Sequence, residues 1–296
     1  MITFTFLSGK QIILNDFKNY KYFYHIKAYF LDETQYCYCI LTQSNNEIKD
    51  IEKIINYNYT EINVTMTNIY NFKLKDWIDK IKLDWTLLSK NPNAIYLLEN
   101  NPTKINYKLL SLNPNAINIL KNNLDKVCWH YLSMNPNAIH LLEENISKIE
   151  WYWLSENPNA IHLLENHYDK INWTKLSENT NAISFLEQAP NKINFRALSK
   201  NANAIHLLKN NLNKIDWVAL STNTNAEAIQ LLENNKYKID WHLLSSNPRA
   251  LHILEDNFNK IEWIRLSLNS NAIHLLEANQ HKIFWDYLSC NPSIFE

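Results

Sequence analysis

Ten times along this chain an aromatic residue follows lysine, an apolar residue and one variable position. These aromatics are Trp85, Tyr107, Trp129, Trp151, Trp173, Phe195, Trp217, Trp241, Trp263 and Trp285. Successive copies lie 22 residues apart except between Trp217 and Trp241, where the step is 24. A chain that repeats at so short a period must bury each unit's apolar face against copies of itself, which restricts it to stacked, solenoid-like architectures. The extra pair falls in "NTNAEAIQ" and is placed at Glu227-Ala228 or its neighbours.

The unit reads K-I-x-W-x-x-L-S-x-N-P-N-A-I-x-L-L-E-x-N-x-x. The lysine, leucine, serine and first asparagine recur in every copy, from Lys82, Leu88, Ser89 and Asn91 to Lys282, Leu288, Ser289 and Asn291. Within residues 148 to 167, Trp151 and Leu154 share a helical face, so a first helix ends near Glu156. Asn157 has N-cap chemistry and Pro158 suits a first helical position. The same N-cap role is assigned to Asn91, Asn113, Asn135 and Asn247. Ala160, Ile161, Leu163 and Leu164 form the apolar stripe of a second helix. An asparagine after it (Asn101, Asn123, Asn145, Asn211) is the candidate for a left-handed turn, since the chain has a single glycine, Gly9. A leucine-rich repeat also reaches this period, but its strand needs L-x-L alternation, and the pairs "AI" and "LL" are spaced for a helix. Ten helix-turn-helix units at about 8–10 Å each would form a curved rod about 80–100 Å long. The tryptophans Trp85, Trp129, Trp151, Trp173, Trp217, Trp241, Trp263 and Trp285 are read as the repeat core.

The first 72 residues do not repeat. "MITFTFL", "SGK" and "QIIL" read as a hairpin, with Gly9 at its turn. A helical aromatic pattern, a strand "YCYCILTQ", a short helix and a strand "TEINVTMTNI" follow. This order, with Met1, Phe4 and the turn "LSGK", resembles the β-grasp fold of ubiquitin. The resemblance implies a head over residues 1–72, with Leu7 at the exposed hairpin leucine that the family uses for recognition. The di-glycine tail of that family is absent. The expected fold class is therefore α+β, a β-grasp head followed by an α-solenoid over residues 73–296. The repeats themselves resemble tandem "LSxNPNAIxLLE" proteins of giant DNA viruses of amoebae, which implies a source and an architecture more than an activity.

Composition narrows the function. A net charge of −1 argues against nucleic acid as a partner. Cys37, Cys39, Cys128 and Cys290 are too few and too irregular for a disulfide framework or a zinc site, and neither a signal peptide nor an 18-residue apolar run is present. These features lead to an expectation of a cytoplasmic protein without a membrane span. His140, His162, His206, His252 and His274 share one repeat position and are read as a solvated ladder rather than metal ligands. The lysine ladder faces glutamates and reads as a charge-balanced surface. The serines have no general base at fixed spacing, so no catalytic residues, metal or cofactor are assigned. The expected role is a non-enzymatic scaffold for a protein partner, with Tyr131, Tyr152, Trp153, Lys175, Arg196 and Arg265 as contact positions. A virion structural component and an adaptor working through the head are the alternatives.

Overall fold

A computed structural model describes residues 72–296 continuously and, before them, only the backbones of five strands. Those strands, Ile2–Phe6, Gln11–Leu14, Cys39–Gln43, Asn46–Glu47 and Glu61–Met66, pair in one sheet. The fold class read from the sequence is corrected here. The continuously described region is helical, with no strand in its repeats, and it carries the architecture of a helical solenoid rather than an α+β fold with a β-grasp head. The helix that a β-grasp head needs across its sheet falls on residues outside those described, as does Leu7.

Each repeat forms one rung, numbered here by its aromatic residue from one (Trp85) to ten (Trp285). Rung four shows the pattern. A first helix, Trp151–Leu154, leads through Asn157 into a 3-10 turn, Pro158–Ala160, and then a second helix, Ile161–Asn166. Helices of four to six residues are far too short to persist alone, because nucleation costs more than so few hydrogen bonds return. Burial between rungs holds them. Leu154, Ala160 and Leu164 are fully buried, and their counterparts in the other rungs form one continuous core.

The loop after the second helix departs from expectation. Asn101, Asn123, Asn145 and Asn211 have φ between −140° and −132°, so no left-handed turn is used. Each instead donates its side-chain amide to the carbonyl four residues back, at 2.8–3.0 Å, which satisfies a helix-end acceptor. In rung four His167 takes this place, with Nδ1 2.9 Å from the Leu163 carbonyl. The chain thus ends its helices without glycine.

The two-residue insertion is also resolved. Ala228 is fully buried, like Ala204 and Ala250 in the flanking rungs, so the extra residues are Ala226-Glu227. They lengthen rung seven's second helix to Ala226–Glu233 and leave the neighbouring rungs in register.

The largest correction concerns overall shape. The solenoid is a closed ring, not a rod. Rung one hydrogen-bonds to rung ten through the same groups that join every other pair: Asp84 N–H donates to Ser289 Oγ (2.8 Å), and Asn91 donates to the carbonyls of Ser289 (2.9 Å) and Asn291 (3.0 Å). Where the other rungs have a second helix, residues 294–296 pair with residues 73–75 in a short antiparallel clasp. Lys73 and Glu296 exchange backbone hydrogen bonds of 3.0 and 2.8 Å, and Lys75 N–H donates to the Ile294 carbonyl at 2.9 Å. Neighbouring first helices touch, as do the turns after them, whereas second helices and loops keep further apart. A closed ring crowds its inner rim, so first helices and turns lie inside. The 80–100 Å expected of a rod becomes a circumference, and the first helices close a circle about 25–30 Å across.

Candidate functional site

Two features of the ring bear on function: a buried ladder that joins rung to rung, and a half-buried aromatic strip along its first helices. The ladder is built from the recurrent serine and asparagine. Each of the ten asparagines, Asn91 to Asn291, uses all of its short side chain. Its Oδ1 accepts the N–H two residues on, at 2.8–3.0 Å. Its amide donates twice, to the serine and asparagine carbonyls of the preceding rung, at 2.8–3.1 Å. All ten are buried, so each bond is made where an unpaired group would cost most. Asn91, Asn157 and Asn247 occupy the N-cap position of 3-10 turns, and Asn113 and Asn135 accept the same local N–H.

Each serine Oγ donates to the aromatic residue's carbonyl four positions back and accepts an N–H from the next rung; Ser155 does so to Trp151 (2.8 Å) and from Asn172 (2.9 Å). With no solvent access and both bonds made, these hydroxyls are structural staples rather than nucleophiles. A second asparagine adds a further rung-to-rung bond: Asn159 donates to the Pro136 carbonyl at 2.8 Å. Rungs eight and ten carry Arg249 and Ser293 at that position.

The tryptophans Trp85, Trp129, Trp151, Trp173, Trp217, Trp241, Trp263 and Trp285 are half-buried and pack on the leucine core. In eight rungs the ring face is covered by the opening lysine of the next rung. Lys238 lies 4.1 Å from the Trp217 ring centre, Lys104 4.2 Å from Trp85, and Lys82 closes the circle 4.9 Å from Trp285. This is what the lysine ladder does: it shields an aromatic face while its charge stays hydrated. Four of the helix-end glutamates pair elsewhere. His162, His206, His252 and His274 each bond the glutamate of the preceding rung, at 2.7–3.1 Å. No group of three or more His, Cys, Asp or Glu side chains among the described residues is placed to hold a metal ion.

The aromatic strip runs across rungs two to five. Lys108 sits over Tyr131 (5.7 Å), His130 meets Tyr131 edge-on and tilts against Trp153 (4.3 Å), and Tyr152 meets Trp153 edge-on (4.9 Å). Lys175 covers Trp153 at 4.5 Å and is fixed by Glu156 at 2.7 Å. Partial burial alone would lower the Lys175 pKa; the hydrogen bond and charge of Glu156 outweigh it and hold the ammonium above its ordinary value. Tyr131, Tyr152, Trp153 and Lys175 are thus brought together. Arg196 lies one rung beyond, beside Asp216 at 3.8 Å. Arg265 lies in rung nine, its Nε donating to His242 (2.7 Å), away from the strip. His130 was missed from the sequence. Its place one residue after the rung-three aromatic, matching Tyr152 in the next rung, was the available signal.

No protein-family model, curated protein or solved structure matches this chain. No helix among the described residues is long and apolar enough to cross a membrane.

Proposed function

We propose that this chain is a non-enzymatic scaffold whose ring holds an aromatic strip ready for a protein partner. The observation that carries the reading is the continuous stack Lys108–Tyr131–His130–Trp153–Lys175 across four rungs, with Tyr152 47% exposed beside it. Tyrosine and tryptophan are the commonest anchors of protein interfaces, and these are already held by neighbours, so little side-chain entropy is left to lose on binding. The serines, the most repeated hydroxyls, are committed to the ladder, which supports binding rather than catalysis. Affinity capture from the native source tests this. The double variant Tyr152→Ala/Trp153→Ala should lose its partner by tenfold or more, on the scale of about 1.4 kcal/mol or above. Arg265→Ala, four rungs beyond Lys175, should retain it. Equal capture by the double variant and the unaltered chain, with circular dichroism unchanged in both, would overturn the proposal.

A further inference from the structure

Every junction but one in the ring is crossed by the covalent chain. Between rungs one and two, residues 99–106 carry the polypeptide from the second helix into the next first helix. Between rungs ten and one nothing covalent crosses. The Ser–Asn ladder is complete there, as are Asn93 on the Pro292 carbonyl (3.0 Å) and Lys82 over Trp285. The second helix is replaced by the clasp, whose side-chain tie is an exposed pair, Lys75–Glu296, at 3.5 Å. Such a pair adds little stability. Two residues after the clasp, Trp77 Nε1 is the one buried side-chain nitrogen or oxygen among the described residues without a hydrogen-bond partner.

We propose that this seam is a built-in joint at which the ring opens. Residues 73–75 peel from 294–296, rung one then separates from rung ten, and the nine continuous junctions stay formed. Repeat arrays support such partial opening because each unit is held chiefly by its neighbours. The clasp strand is also the segment that directly follows residues 1–71, so a pull on that part of the chain acts on the joint first.

Amide hydrogen exchange on the full chain tests this with an internal control. Asp84 N–H donates to Ser289 Oγ across the seam; Asn172 N–H donates to Ser155 Oγ at 2.9 Å across an interior junction. The groups are equivalent and differ in connectivity. Asp84, Lys75 and Glu296 should exchange at least about tenfold faster than Asn172, through an opening smaller than global unfolding. Lys75→Glu, which sets two like charges across the clasp, should widen the gap and leave Asn172 unchanged. A disulfide in Lys73→Cys/Glu296→Cys should close it. These residues exchange both backbone bonds and so lie about 5.5 Å apart, within disulfide range. Equal exchange of Asp84 and Asn172, with Lys75→Glu altering neither, would overturn the joint. A difference that survives the disulfide would also overturn it, since that would be local fraying.

Discussion

The junction between rungs four and five and the junction between rungs ten and one use the same hydrogen bonds. At the first, Asn179 donates to the carbonyls of Ser155 (3.0 Å) and Asn157 (2.8 Å); at the second, Asn91 donates to those of Ser289 (2.9 Å) and Asn291 (3.0 Å). Their local chemistry is indistinguishable. What differs is what lies around it: a covalent loop and a full second helix at one, a three-residue clasp at the other. The comparison separates two quantities that repeat proteins usually merge. The bond inventory sets how well two rungs fit. Chain connectivity sets whether a lost fit unfolds the array or merely opens it.

That contrast can be broken or sharpened by substitution. The largest effect is expected from Asn157→Ala, inside the array. It strands the Ser133 carbonyl and the Asn159 N–H and leaves the Asn135 carbonyl with only its bond from Ala138 N–H, and should cost roughly 3–5 kcal/mol in urea denaturation. Asn91→Ala removes the same bonds at the seam. It should cost only roughly 1–2 kcal/mol in the global transition, because the open ring keeps its other nine junctions. Equal losses for the two would erase the contrast. Ser155→Ala deletes one donor and one acceptor and should cost about 1–2 kcal/mol by the same measurement. Lys238→Met, which removes the cation over Trp217, should cost about 0.5–1 kcal/mol; Lys82→Met, at the longer seam distance, should cost less.

The smallest effect is electrostatic. Lys175 gains its partner on folding and its pKa is raised, so the Lys175–Glu156 pair contributes fully below the unfolded lysine value. That contribution is lost as pH rises through the higher folded value, in the alkaline range. Thermal melts of the unaltered chain and Lys175→Met should therefore differ at neutral pH and converge under strong alkali. At the seam, burial pushes the Cys290 thiol up, although Lys90 nearby opposes this. Its Sγ lies 3.7 Å from the Leu87 carbonyl. Alkylation of Cys290 should be slow at pH 8 in the closed ring and faster in Lys75→Glu.

Much of one rung was legible in the sequence because it is local. The Trp–Leu spacing places a first helix, Asn-Pro places a turn, and the "AI…LL" stripe places a second. The loop asparagine was identified, but its conformation was not. A left-handed turn and an amide reaching back to a carbonyl are both open to asparagine, and backbone packing chose the second. The fate of the lysines was also hidden. Six of the eight stand 19 residues after the aromatic they cover, and no charge pattern distinguishes an ammonium over indole from one paired with glutamate. The strip was half legible: Tyr131, Tyr152 and Trp153 stand out by composition, while His130 joins them only because rung three sits beside rung four.

The sequence by itself determined the period, the two helices per unit, and that the invariant serine and asparagine share one environment in every copy, since each of these follows from residues within one 22-residue span. It did not determine the ring. Closure depends on a small rotation between rungs accumulating to a full turn after ten of them. It also depends on residues 73–75 meeting 294–296 across more than two hundred positions of chain. A rotation of that kind is set by how the buried leucines and the asparagine ladder pack rung on rung, so only the tertiary structure could decide that the two ends meet.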